Sequence, residues 1–404
     1  MQEDRKRQER RRQMSEEQVI RELREAFSRT YGGDGCRIFF APGRVNLIGE
    51  HIDYNGGHVF PCALTMGTYA AVRKREDRKL RFYSVSFPDA GVIESSLDDL
   101  VYKKEDNWAN YVKGVIWAFR EHGYAADSGF DFVCSGTIPS KSGLSSSASL
   151  EVLTGTILIS LFGFDADQIK NALYGQYAEN RFVGMNCGIM DQFTSAMGRE
   201  NRAIFLNTAT LEYRYAPVEL GSAKLVIVNS NKPHELTSSA YNVRRRQCEE
   251  ALQDLKKVRD ISALCELTPE EFDEVKHVIR DEACLRRARH AVTEEARTVE
   301  AVRLLDAGDL AGFGKLMNAS HVSLRDDFET SCFETDVLAE EAWALPGVTG
   351  ARITGGGFGG CTVNIVEDSA TDSFIETVGK HYTERTGLTA SFYVVSVGGG
   401  PREI

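Results

Sequence analysis

No Cys-x-x-Cys pair occurs in the 404 residues, and the nine cysteines (36, 62, 134, 187, 248, 265, 284, 332 and 361) are odd in number. That spacing excludes a zinc knuckle and gives no disulfide framework. The cysteines lie in or beside apolar or helical runs, as small core residues do, which points to a reducing compartment. Proline is scarce, 9 against 36 glycines, so close backbone approaches are expected rather than stiff linkers. No apolar run reaches membrane-spanning length: the longest, Leu150–Phe162, covers about 13 residues and is broken by Thr and Gly. Positive charge is not in excess either. The 48 Lys+Arg against 59 Asp+Glu give a net charge of −11, contrary to the cationic field that general nucleic-acid binding needs.

What is present is ordinary for a globular chain: 42% apolar and 26% charged residues, in a length that suits two to three domains. The start carries a basic run (Arg5, Lys6, Arg7, Arg10, Arg11, Arg12) mixed with acids and with no apolar core behind it. It reads as a charged extension, residues 1–17, and not as a targeting signal. A soluble cytoplasmic protein without a membrane or nucleic-acid partner is expected.

Apolar spacing predicts a first helix over 15–28, strands at 37–41, 59–72, 80–86 and 130–135, and helices at 108–122, 148–162, 167–182 and 190–197. Further strands are expected at 203–206, 224–229, on both sides of a glycine stretch near 350–366, and at 391–397, with 240–345 mostly helical. Strands and helices without strict βαβ alternation favour an α+β protein over a doubly wound sheet. A composition shift at 215–225 marks the expected domain boundary.

Four constellations carry chemistry. The run GRVNLIGEHIDYNGG (43–57) packs Arg44, Asn46, Glu50, His51, Asp53 and Asn55 into a turn-rich stretch behind a strand. Such groups suit forked hydrogen bonds to vicinal hydroxyls, with Arg44 placed to neutralise developing charge. A polar surface turn, or a metal held by Glu50, His51 and Asp53, are the competing readings. The run IPSKSGLSSSASLE (138–151) leads from a strand through a Gly/Ser loop into an apolar helix. Its N-terminal N–H groups favour phosphate, and the hydroxyls of Ser145, Ser146 and Ser147 suit phosphate oxygens or Mg²⁺. It is neither a Walker A loop nor a nucleophile elbow; simple helix capping by one serine is the bland alternative.

Glu179 and Asp191 flank a short turn, Gly184–Gly188, that can fold two helices back so that both carboxylates face one cavity. Solvated helix carboxylates are the default for such a pair. Finally, Gly355, Gly357 and Gly360 satisfy G-x-G-x-x-G, but a strand-like segment, 361–366, follows in place of the helix a dinucleotide site requires. A glycine hairpin approaching a ligand or another loop fits better. In YNVRRRQCEE (241–250) a solvated helix face is expected for the arginines.

The run at 43–57, GLSSSAS at 143–149, GIMDQF at 188–193 and the hairpin at 354–360, in that order, resemble the galactokinase branch of the GHMP small-molecule kinases. The resemblance runs from about 20 to about 395 and includes NWANYVKG at 107–114; the run at 43–57 is its most specific part. It implies a two-domain α+β fold: an S5-like N-terminal domain (18–215) with the sugar and phosphate loops, and a ferredoxin-like C-terminal domain (216–404) with the glycine hairpin. The active site would lie in the cleft between them, in a monomer.

The implied activity is ATP-dependent phosphorylation of a galactose C1 hydroxyl. Asp191 would be the base and Arg44 the charge stabiliser. Arg44, Glu50, His51, Asp53, Gly188, Asp191 and Tyr241 would bind sugar. Gly143, Ser145, Ser146 and Ser147 would bind nucleotide phosphate, with Ser84 and Trp108 as further nucleotide contacts. Ser147 and Glu179 would hold Mg²⁺. Lys141 stands where the family usually has Gly; it either turns outward or reaches phosphate as a point charge. An N-acetylgalactosamine or other modified-sugar kinase would use the same loops. A non-catalytic sugar sensor is the other alternative, but relatives of that kind lose part of the serine loop, which is intact here.

Overall fold

The computed structural model describes residues 14–139, 142–232 and 237–404. The chain opens with helix α1 (Glu16–Tyr31), started by a reciprocal cap in which Ser15 Oγ accepts from the Gln18 N–H and Gln18 Oε1 accepts from the Ser15 N–H. Then follow β1 (Arg37–Asn46), β2 (His58–Val59), β3 (Pro61–Lys74), β4 (Lys79–Ser84), β5 (Ile93–Ser96), α2 (Ala109–Glu121), β6 (Phe130–Gly136), α3 (Ser146–Phe162), α4 (Gln168–Ala178), α5 (Met190–Met197), β7 (Arg202–Asn207) and β8 (Tyr213–Pro217). The second half contains β9 (Ala223–Asn229), α6 (Thr237–Leu255), α7 (Pro269–Val275), α8 (Glu282–Asp306), α9 (Leu310–Asp326), α10 (Phe333–Trp343), β10 (Val348–Thr354), β11 (Cys361–Glu367), α11 (Thr371–Thr386), β12 (Ser391–Val395) and β13 (Arg402–Glu403).

Among the described residues the strands form two sheets. The first runs β13-β1-β3-β6-β4-β5, with β7 joining β2, β3 and β8 beside it. Strand β1 is buried on both faces, and the alternation along it shows how. Ile38 and Phe40 pack with Val19, Leu23 and Phe27 of α1, while Phe39 and Ala41 point into the larger cluster that includes α2 and α3. Burying Leu23 or Phe27 completely, as here, stabilises the fold by about 1.5–3 kcal/mol each.

The second sheet has the order β12-β9-β11-β10, antiparallel throughout. Numbered by chain position this is 4-1-3-2, with helices between its first and second and its third and fourth strands, which is the ferredoxin-like arrangement. The α+β reading therefore holds.

The boundary expected between 215 and 216 cuts strand β8, which pairs with β7 in the first sheet; the second sheet begins only at Ala223. The last residues also return to the first sheet, where Phe39 and Phe40 pair with Glu403 and Arg402. Helix α11 and strand β8 were not anticipated. The helix expected over 167–182 stops as an α-helix at Ala178 and widens into a π turn, Glu179–Val183. The arginines of α6 are not merely solvated: Arg244 donates to the carbonyls of Phe328 and Glu329, and Arg245 to that of Asn186.

Candidate active site

A cavity of about 300 Å³ opens where β1, the N-terminus of α3, the turn between α4 and α5, and the loop after β10 meet. Arg44, Glu50, His51, Asp53, Gly143, Ser145, Ser146, Ser147, Glu179, Gly188, Asp191 and Tyr241 all line it. Lys141 lies outside the described residues. Ser84 and Trp108 are not brought to the cavity. The Ser84 hydroxyl accepts from the Ser86 N–H at 3.2 Å, and the Trp108 ring packs in the core 6.4 Å from Phe132.

At the centre Arg44 reaches from β1 to Asp191, the second residue of α5. Arg44 Nε donates to Asp191 Oδ1 at 2.8 Å and a terminal nitrogen approaches the same oxygen at 2.7 Å. The other terminal nitrogen donates to the Gly143 carbonyl at 2.6 Å, so one buried guanidinium ties the carboxylate to the serine loop. Asp191 Oδ2 accepts from the Ser145 hydroxyl at 2.6 Å. Ser145 therefore does not cap α3 with its side chain, contrary to the bland reading. Its backbone is left-handed (φ 58°), a conformation L-residues seldom adopt, and its hydroxyl serves the carboxylate. The first-turn N–H groups of α3 lack intrahelical acceptors and face the loop, as an anion site requires.

On the opposite side, Asp53 and Gly188 fit against each other, and burial, with the neighbouring Asp191 and Glu50 carboxylates, pushes the Asp53 carboxyl up to about 7. Burial drives the His51 imidazole down to about 3, so the ring is neutral at physiological pH. Its Nδ1 shares a 2.8 Å hydrogen bond with Tyr54. Glu50 Oε1 accepts from the Gly355 N–H at 2.7 Å and from the Thr354 hydroxyl at 3.1 Å, anchoring the glycine hairpin. The hairpin meets Gly143, as the reading of a loop-to-loop approach expected. A metal held by Glu50, His51 and Asp53 is not what forms: among the described residues no group of three or more His, Cys, Asp or Glu side chains has that arrangement.

The Glu179 carboxylate is hydrogen-bonded to Ser147, and burial together with Asp191 raises it to about 7. Behind it stands a residue the sequence reading passed over. Gln192 Nε2 donates both to Glu179 Oε2 (2.6 Å) and to Glu151 Oε2 (2.9 Å). Burial and Glu179 push the Glu151 acid well above the usual carboxylate range. Glu151 sat inside the quoted run 138–151, but an apolar helix pattern around it masked its position. Ser142, Met185, Cys187, Met190 and Gly356 also line the cavity unannounced; their only signal was adjacency to motif residues.

Three family models match the chain. A galactokinase galactose-binding signature matches residues 25–74, a GHMP kinase N-terminal domain 110–199 and a GHMP kinase C-terminal domain 301–384. The galactokinase of Clostridium beijerinckii is 52% identical over 385 residues, covering 95% of this chain and 99% of the relative. This chain belongs to the galactokinase family.

Other family members agree. The galactokinase of Fusobacterium nucleatum is 54% identical over 389 residues, 96% of this chain and 99% of its own length. The crystal structure of Lactococcus lactis galactokinase complexed with galactose superposes with a TM-score of 0.94 at 46% identity, covering 96% of this chain and all of that one. The Methanococcus jannaschii mevalonate kinase, at 16% identity and a TM-score of 0.66 over 90% of this chain and 99% of that one, shares the fold. A kinase family implies ATP as a substrate. Among the described residues, no helix is long and apolar enough to cross a membrane.

Proposed function

We propose that the protein transfers the γ-phosphoryl group of ATP to the C1 hydroxyl of α-D-galactose, giving galactose 1-phosphate and ADP. The carrying observation is the fixed Arg44–Asp191–Ser145 constellation at the mouth of the phosphate-binding helix. Asp191 accepts the hydroxyl proton as the C1 oxygen bonds phosphorus and the bond from phosphorus to the ADP oxygen breaks. Each of its oxygens has two lone pairs, so the bonds from Arg44 and Ser145 leave acceptor capacity for that proton. Arg44 offsets the charge gathered on the phosphoryl oxygens, which a loose transition state spreads rather than localises.

Glu50, His51, Asp53 and Tyr241, with the space left by Gly188, hold the sugar hydroxyls. Gly143, Ser145 and Ser146 hold phosphate, and Lys141, two residues before Gly143 in the sequence, is a further nucleotide-binding residue. Ser147 and Glu179 fit Mg²⁺: a hydroxyl beside a carboxylate whose acidity burial and the Asp191 charge suppress is a donor pair that a divalent cation completes. When bound, the ion supplies neutralisation of the nucleotide phosphates. The intact serine loop and Asp191 support an enzyme rather than a sensor; we place it in the cytoplasm as a monomer.

ADP release from Mg-ATP, measured with galactose, N-acetylgalactosamine, glucose and homoserine in turn, tests the reading. Galactose-dependent turnover that Asp191→Asn abolishes is expected. Preference for another acceptor would overturn the substrate, and galactose binding without turnover would overturn the enzyme.

A further inference from the structure

The loop that carries Glu50, His51 and Asp53 is held in backbone conformations it would not keep alone. Gly49 has φ +96° and His51 φ +62°, the latter in the left-handed region that disfavours a residue with a β-carbon. Such a backbone persists only where its surroundings over-determine it.

Two of the groups that fix it come from α8 in the second half of the chain, 240 residues away at one contact. His290 Nε2 bonds the Glu50 carbonyl at 3.1 Å, and Glu294 Oε1 accepts from the Gly49 N–H at 3.0 Å. Four residues apart, they sit one above the other on one face of the helix. Both are fully buried and locked in turn. A carbonyl only accepts, so the His290 proton is on Nε2, and Nδ1 accepts from the Ser323 hydroxyl at 2.9 Å. Glu294 Oε1 also takes a 2.6 Å hydrogen bond from Ser320, while Oε2 takes one of 2.8 Å from Arg297. The Phe328 ring lies between the imidazoles, 4.7 Å from His51 and 4.6 Å from His290. The peptide groups before Gly49 and before His51 are therefore both held by the same helix, while the His51 carbonyl accepts from Asn55 Nδ2 at 2.8 Å.

We infer that His290 and Glu294 are positioning residues for the sugar: they set the Gly49–His51 backbone and so aim Glu50 and His51 into the cavity. This rests on the reading of that cavity as the sugar site. Neither residue lines it, so the effect must pass through the loop. Glu50 Oε1 also holds the Gly355 N–H of the hairpin that meets Gly143, so loss of the grip should weaken sugar binding more than ATP binding.

The test compares His290→Leu, His290→Gln and Ser323→Ala with Leu305→Ala, a buried control on the same helix. The readouts are kcat, KM for galactose, KM for ATP, galactose affinity by calorimetry, and Tm. His290→Leu should raise KM for galactose at least about tenfold and leave KM for ATP within about twofold. His290→Gln, whose amide can donate to the Glu50 carbonyl, should recover most of the loss. Leu305→Ala should lower Tm without that split.

Equal movement of both KM values, or no recovery with Gln, would overturn the proposal. If His290→Leu does not fold, Ser323→Ala decides: an unchanged galactose KM would overturn the idea, a selective rise would support it. A wild-type protein inactive on galactose would instead fail the functional reading. The split would then be measured on whichever acceptor the wild type phosphorylates.

Discussion

The carboxyl of Asp53 occupies the space where a side chain on residue 188 would begin: a β-carbon placed on Gly188 would stand 2.0 Å from Asp53 Oδ2. Both neighbours are fixed, Gly188 by the turn between α4 and α5 and Asp53 by the buried loop after β1. Gly188→Ala must therefore displace the carboxyl. KM for galactose should rise at least about tenfold, or about 1.4 kcal/mol, with KM for ATP nearly unchanged. Steady-state kinetics with each substrate varied checks this; an unchanged sugar KM would show that Asp53 does not contact the acceptor.

Arg44 makes a different kind of demand. Its guanidinium serves Asp191 and the Gly143 carbonyl at once, a forked geometry that a lysine ammonium cannot reproduce. Arg44→Lys should lower kcat by about 10²–10³, the range for loss of one preorganised donor, with KM for galactose changed less than threefold. Pre-steady-state measurement of the phosphoryl-transfer step would show the loss in chemistry. A defect confined to KM would mean that Arg44 only binds.

Which features could be read in advance follows from how locally each is determined. The helix Met190–Met197 matched its expected span because its apolar positions and its end at Gly198 are local. The short glycine turn allowed Glu179 and Asp191 to meet, but spacing alone favours solvated carboxylates, which the buried Glu179 is not; only the family resemblance put both in the site. Glu151 did not declare itself, since a carboxyl in an apolar helix looks like a tolerated exception until Gln192 and Glu179 are seen against it. The grip of α8 on the sugar loop links residues 240 positions apart, and no periodicity reports such a contact. Strand β13 is only two residues long and is defined by its partner, not by its own pattern.

Asp53 also sets a pH dependence. Its ordinary value of 3.8 rises to about 7 in the folded protein, chiefly through burial and then through Asp191 and Glu50. Between those values the folded state keeps a proton that the unfolded state has lost. Without ligands, its contribution to stability therefore falls as pH rises from about 4 to about 7, and is level above that. Asp53→Asn mimics the protonated acid and removes the dependence. Its Tm should exceed that of the wild type at pH 8, and the gap should close as pH approaches 4. Calorimetry across that range decides; a gap that does not change with pH would show that Asp53 is not the titrating group.

The contact between the glycine hairpin and the serine loop gives a prediction for the nucleotide side. A β-carbon on Gly355 would lie 2.5 Å from the Gly143 carbonyl oxygen and 3.1 Å from its α-carbon, at a φ of +83° that an alanine resists. The obstacle is backbone on both sides, so relief requires the loops to separate. Separation would move the Gly143 carbonyl off Arg44 and widen the phosphate-binding turn ahead of α3. Gly355→Ala should therefore cut kcat/KM for ATP more than about tenfold. The Gly355 N–H also holds Glu50 Oε1, so a smaller rise in KM for galactose should accompany it. Loss on the sugar side alone would mean that the hairpin supports Glu50 and leaves the phosphate loop untouched; loss weighted to ATP would establish the two loops as one nucleotide-binding unit.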